Sequence, residues 1–64
     1  MAVSREFVIN NDGNELRCFI NCKNMVSIFI GEENTPISEM QYITFDKNDL
    51  IDIIKELNKI KKEL

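Results

Sequence analysis

The sequence predicts an α+β fold: a four-stranded antiparallel sheet made of two hairpins, followed by one C-terminal amphipathic helix packed on one sheet face. Three observations lead there. Runs rich in Phe, Val and Ile alternate between apolar and polar residues as far as Phe45. Asn-Asp-Gly-Asn and a Gly- and Pro-containing stretch punctuate those runs. From Leu50 onward the apolar spacing changes from two to three and four. The 64 residues are one ββββα domain, 1–64, with strands at about 5–10, 15–22, 25–30 and 39–45 and a helix at about 47–63. Domains typically run to about 100–150 residues, so a second one does not fit.

Arg5–Asn10 reads as the first strand. It runs into Asn11-Asp12-Gly13-Asn14, where Asp and Asn tolerate left-handed backbone and Gly adopts it without steric cost, so a tight hairpin turn is expected. The return strand, Glu15–Cys22, sets Leu16, Cys18, Ile20 and Cys22 on one face and Arg17, Phe19 and Asn21 on the other. Lys23-Asn24 is a two-residue turn lacking Gly. Met25–Ile30 then places Val26, Ile28 and Ile30 opposite Met25, Ser27 and Phe29. Gly31–Ser38 is a loop, and Glu39–Phe45 is the fourth strand, with Gln41, Ile43 and Phe45 opposite Met40, Tyr42 and Thr44.

Asp46 is the expected N-cap, since its carboxylate can accept from the free amides of the first turn. Asp49 follows as in a loose capping box. Leu50, Ile53, Ile54, Leu57, Ile60 and Leu64 fill a stripe about 120° wide. Acids crowd the helix start and Lys59, Lys61 and Lys62 its end, as the helix dipole favours.

A helix about 10 Å across covers only one face of a sheet this wide. The aliphatic face (Leu16, Cys18, Ile20, Ile28, Ile43 and their neighbours) is the expected partner of the stripe. That leaves Arg17, Phe19, Met25, Phe29, Met40 and Tyr42 on the second face. A solvated sheet face should be polar. Two Phe, two Met and a Tyr together predict a surface covered by something, first of all by a second copy in a sheet-to-sheet homodimer.

Composition narrows the function. The chain holds 8 basic and 11 acidic residues, net charge −3, and no His. A duplex-DNA binder or an anionic-membrane binder normally carries a basic surface, so both are disfavoured. A chain of this size without disulfide or metal is marginally stable on its own, which makes oligomerisation the expectation. MAVSREFVIN lacks a signal-peptide core and no run is long and apolar enough to span a bilayer, so a cytoplasmic location with reduced thiols is expected. Ten Ile, eight Asn and six Lys, all with AT-rich codons, point to an AT-rich genome such as that of a low-GC bacterium or its phage.

No motif carries chemistry. Cys18 and Cys22, four apart on one strand face, would stand about 13 Å apart, too far for a disulfide. They read as small buried apolar residues. Zinc is disfavoured with two Cys and no His. Asn10–Glu15 does not fit a calcium loop, because aligning Gly13 to the loop glycine puts Val8 at the first ligand position. No phosphate-binding glycine motif is present. The expectation is a protein with no catalytic residues, no metal and no cofactor. Glu32, Glu33 and Glu39 form an acidic patch that suits a basic site on a partner.

The strand, acidic loop, strand and N-capped helix of Met25–Leu64, with Ile43-Thr44-Phe45-Asp46 at the junction, resemble the single-strand-binding transcriptional coactivator family. That resemblance implies a ββββα fold, dimerisation, and single-strand binding by basic and aromatic residues on curved strands, here Arg17, Lys23, Phe19, Phe29 and Tyr42. A looser likeness is to short, acidic phage-encoded inhibitors. The leading expectation is therefore a small, non-enzymatic, homo-oligomeric binding protein, a phage- or mobile-element-encoded inhibitor of a host defence protein. The alternatives are a single-stranded nucleic-acid binder and a small-ligand sponge binding between protomers.

Overall fold

The structure is a computed structural model that describes residues 5–64; residues 1–4 of the expected domain lie outside it. Four strands, β1 (Glu6–Asn11), β2 (Asn14–Ile20), β3 (Val26–Glu32) and β4 (Gln41–Phe45), precede a single helix, α1 (Lys47–Lys62). The strands form one antiparallel sheet in chain order, an open meander with β1 and β4 at its edges. The fold class is α+β, as the sequence predicts.

Each connection follows from local backbone chemistry. Asp12 and Gly13 turn β1 into β2 with φ of 55° and 80°. Both are left-handed, as the two-residue hairpin turn matched to strand twist requires. The β2–β3 connection is longer than the two-residue turn expected at Lys23-Asn24. Asn21 N–H donates to Met25 C=O (2.8 Å) and Asn24 N–H to Asn21 C=O (3.0 Å), leaving three residues in the loop. Asn24, at φ 62°, supplies the left-handed position such a loop needs where no Gly is available. The Asn21 side chain closes the loop, its carbonyl oxygen accepting from Lys23 N–H (2.9 Å) and Met25 N–H (3.1 Å). β2 therefore ends at Ile20, and Cys22 sits exposed in the loop rather than in a strand.

β3 runs on through Gly31 and Glu32, two residues assigned to the loop from sequence. Thr35 N–H donates to Glu32 C=O (3.2 Å) in a turn with Asn34 at φ 67°. A 3₁₀ turn at Ile37–Glu39 follows Pro36 and occupies what was expected to be the start of the fourth strand. Pro36 has no N–H for a ladder, and its fixed φ suits the entry to that turn.

α1 starts at the expected place. The Asp46 carboxylate accepts from Asp49 N–H at 2.9 Å. Lys59, Lys61 and Lys62 fill the last turn. Its packing is more limited than the stripe implies. Its principal contact with the sheet is beside β4, and Leu50 and Ile53 are its only half-buried residues. Ile54, Leu57 and Ile60 remain exposed. A gap of about 190 Å³ lined by Ile20, Met25, Val26, Lys47 and Leu50 separates the helix start from the sheet end. The helix thus meets the sheet at its N-terminal end and leaves most of the aliphatic face open.

The N-cap hydrogen bond is the side-chain contact that orders the start of α1. Asp46→Ala should lower stability by about 1 kcal/mol, read as a shift in the urea midpoint with unchanged slope.

Candidate functional site

Register assigns every strand residue to a face. Phe29 lies opposite Arg17 on β2 and Tyr42 on β4. Ser27 lies opposite Phe19 and Thr44. Arg17, Phe19, Phe29 and Tyr42 are therefore brought together as expected, on a face that also receives Glu6, Val8 and Glu15 from the opposite positions of β1 and β2.

The three aromatic side chains form a ladder across three strands. Phe19 and Phe29 stack at 5.5 Å with an 11° interplanar angle, and Phe29 and Tyr42 at 5.1 Å with 23°. Such pairs contribute about 0.5–1.5 kcal/mol each beyond the area they bury. Phe29 is the middle rung and is half-buried, while Tyr42, on the edge strand, is 67% exposed. The outermost ring is thus held in place by its neighbour with one face free.

Arg17 is not a free cation. Its Nε donates to the Glu15 carboxylate, and an Nη lies 3.9 Å from the Glu6 carboxylate. Two acids and one guanidinium give this end of the ladder a net negative charge.

Beneath and beside the ladder is a set of fully satisfied polar groups. Ser27, 4% exposed, receives a hydrogen bond from Asn21 Nδ2 at 3.0 Å and lies 3.4 Å from the Thr44 hydroxyl. Among the described residues no buried side-chain nitrogen or oxygen lacks a partner. Satisfied networks of this kind hold strands in one register.

The two methionines expected on this face have other roles. Met40, 7% exposed, is the only buried hydrophobic residue among those described. It fills the space over Gly31, where a Cβ would come within 3.0 Å of Met40 Cγ. It packs on the ladder face itself, beside Phe29's strand, and being buried it is not available to a partner. Met25 precedes β3, half-buried, at the gap beside Leu50 and Lys47. Nothing in the strand alternation announced the Gly31–Met40 seat, although an isolated Gly inside an apolar run is a sign of close approach.

The opposite face carries the aliphatic residues expected there, Leu16, Cys18, Ile20, Val26, Ile28, Ile30, Ile43 and Phe45, but α1 leaves much of it uncovered. Phe7, Ile9, Ile20, Ile30 and Ile43 are all exposed, Ile30 by 55% in the middle of the sheet. An open groove of about 500 Å³ runs along β4 on this side, lined by Ile28, Ile30, Ile43, Gln41 and Glu39 among others. Cys18 lies on the same face by register, half-buried, and burial raises its thiol pKa above the ordinary value.

Glu32, Glu33 and Glu39 are exposed, Glu32 at the end of β3 and Glu39 in the 3₁₀ turn. Glu33 N–H donates to Gly13 C=O at 2.9 Å, which ties the acidic loop to the first hairpin turn and brings Asp12 into the same end of the sheet. Among the described residues, no three His, Cys, Asp or Glu side chains are placed to hold a metal ion, and no helix is long and apolar enough to cross a membrane. No protein-family model matches the chain, and neither the curated proteins nor the solved structures contain a match.

Gly31→Val should displace Met40 and destabilise the fold by about 1–3 kcal/mol, seen as a lower melting temperature. At mildly alkaline pH, Cys22 should react with a disulfide reagent several-fold faster than Cys18, because only thiolate attacks and Cys18 is both covered and harder to deprotonate. Equal rates for the two thiols would contradict the placement of Cys18.

Proposed function

We propose that the chain is a non-enzymatic binding protein that works as a homo-oligomer and engages a protein target through the aromatic ladder, in the manner of a small phage- or mobile-element-encoded inhibitor of a host defence protein. The observation that carries this reading is the ladder itself: three stacked rings across β2, β3 and β4, ending in an exposed Tyr42. Aromatic side chains offer large contact area at little entropic cost, and here the outer ring is already held by its neighbour. Exposed Glu32, Glu33 and Glu39 supply negative charge that favours a target with a basic surface.

Single-strand nucleic-acid binding is the second reading, favoured by the same ladder, since stacked rings are the platform on which bases sit. Against it, the one guanidinium on that face is already paired with Glu15 and Glu6, and backbone phosphates gain little from a net negative surface. The ligand-sponge reading places a small molecule between protomers, and the open groove beside β4 is the surface in one chain that such a site would use.

A photoreactive phenylalanine analogue in place of Tyr42 should crosslink a discrete host protein in expressing cells, and Phe29→Ala in the same chain should remove that product. Fluorescent oligothymidylate at low salt should show no anisotropy change at micromolar protein. Saturable binding weakened about 30-fold by Tyr42→Ala, roughly 2 kcal/mol, would instead assign the ladder to single strands.

A further inference from the structure

We infer that the aliphatic sheet face is covered by the α1 helix of a second copy, with the two copies exchanging helices reciprocally. This deepens the homo-oligomer part of the reading above and moves the seam away from the aromatic ladder.

The starting point is a missing core. Among the described residues one hydrophobic side chain, Met40, is buried. A chain this small needs either a dense core or a partner. Meanwhile the chain exposes two apolar surfaces. One is the sheet face of Phe7, Ile9, Ile20, Ile30 and Ile43; the other is the helix stripe of Ile54, Leu57, Ile60 and Leu64. At roughly 100 Å² for each half-exposed side chain, the two together present about 900 Å² per chain. A reciprocal pair would then bury about 1,800 Å², the size of a stable interface.

The two surfaces also match each other. A 16-residue helix is about 24 Å long and a seven-residue strand about 23 Å, so the helix spans the face end to end. Charge sets the direction. Lys59, Lys61 and Lys62 end the helix, while Asp12, Glu32 and Glu33 mark the end of the sheet away from the chain's own helix start. A partner helix with its C-terminus at that end sets three ammonium groups beside three carboxylates. The helix of the same chain does not close the face from where it stands, because only Leu50 and Ile53 of α1 are even half-buried. Two such exchanges related by a two-fold axis form a closed assembly in which neither the aliphatic face nor the helix stripe is left to recruit a third copy.

The test uses two variants, Ile30→Asp on the face and Leu57→Asp on the stripe. Both residues are exposed within one chain, so a change in either acts on the seam rather than on the monomer interior. Light scattering at micromolar concentration should give twice the 7.5 kDa chain mass for the parent protein, with each variant alone at the single-chain mass or unfolded. Mixing the two variants should restore a dimer, because the intact helix of one then meets the intact face of the other. Tyr42→Ala and Phe29→Ala should leave the parent dimer unchanged. A folded monomer for the parent overturns the inference. So does a variant mixture that stays dissociated, or a dimer lost through Ile30→Asp but indifferent to Leu57→Asp, which would mean face-to-face packing. A helix-exchanged dimer in which Tyr42 crosslinks nothing would refute only the ladder's role in target binding.

Discussion

A pleated strand sends successive side chains to opposite faces, and in this chain both sets are apolar. β2 and β3 place Leu16, Cys18, Ile28 and Ile30 on one side and Phe19 and Phe29 on the other. A single helix can cover one side at most. Of its stripe only Leu50 and Ile53 are half-buried, and neither side is fully covered. That shortage of cover governs the rest of the structure, because burial of apolar surface is the largest favourable term available to a small fold.

The two faces meet the shortage differently. On the aromatic face the rings cover one another: Phe29 is screened by Phe19 and Tyr42, and Met40 fills the space over Gly31. Polar groups there are paired as well, Ser27 with Asn21 and Arg17 with Glu15. Such a face is packed by its own side chains and ends in the exposed Tyr42 ring. The aliphatic face has no such internal arrangement. Ile30 and Ile43 pair across strands with Leu16 and Ile28 yet stay more than half exposed, and only another surface can remove them from water. The two faces therefore differ in kind: one is ordered by stacking and hydrogen bonds among its own side chains, the other exposes aliphatic side chains.

The open meander adds a second demand. β1 and β4 are both edge strands, and unpaired edge groups invite pairing with other chains. β4 is short, and the preceding 3₁₀ turn after Pro36 keeps the chain off the ladder there. A helix held across the aliphatic face would also screen the apolar side of both edges.

The amino-acid sequence by itself determined the elements whose causes are local. Period-two alternation set the four strands, Asp12-Gly13 set the first turn, and Asp46 with the Leu50–Leu64 spacing set the helix. Alternation also brought Arg17, Phe19, Phe29 and Tyr42 to one face, since register follows from parity once the turns are known. Only the tertiary structure decided what depends on distance between elements. The three-residue loop at Asn21–Met25 removed Cys22 from the sheet, and the seat over Gly31 took Met40 out of reach. The exit direction of α1 from β4 left the aliphatic face open. Periodicity specifies which side of a helix is apolar but carries no information about where the helix points. The aromatic face was therefore legible as a surface from sequence, while the larger uncovered area, on the face assigned to the helix, was not.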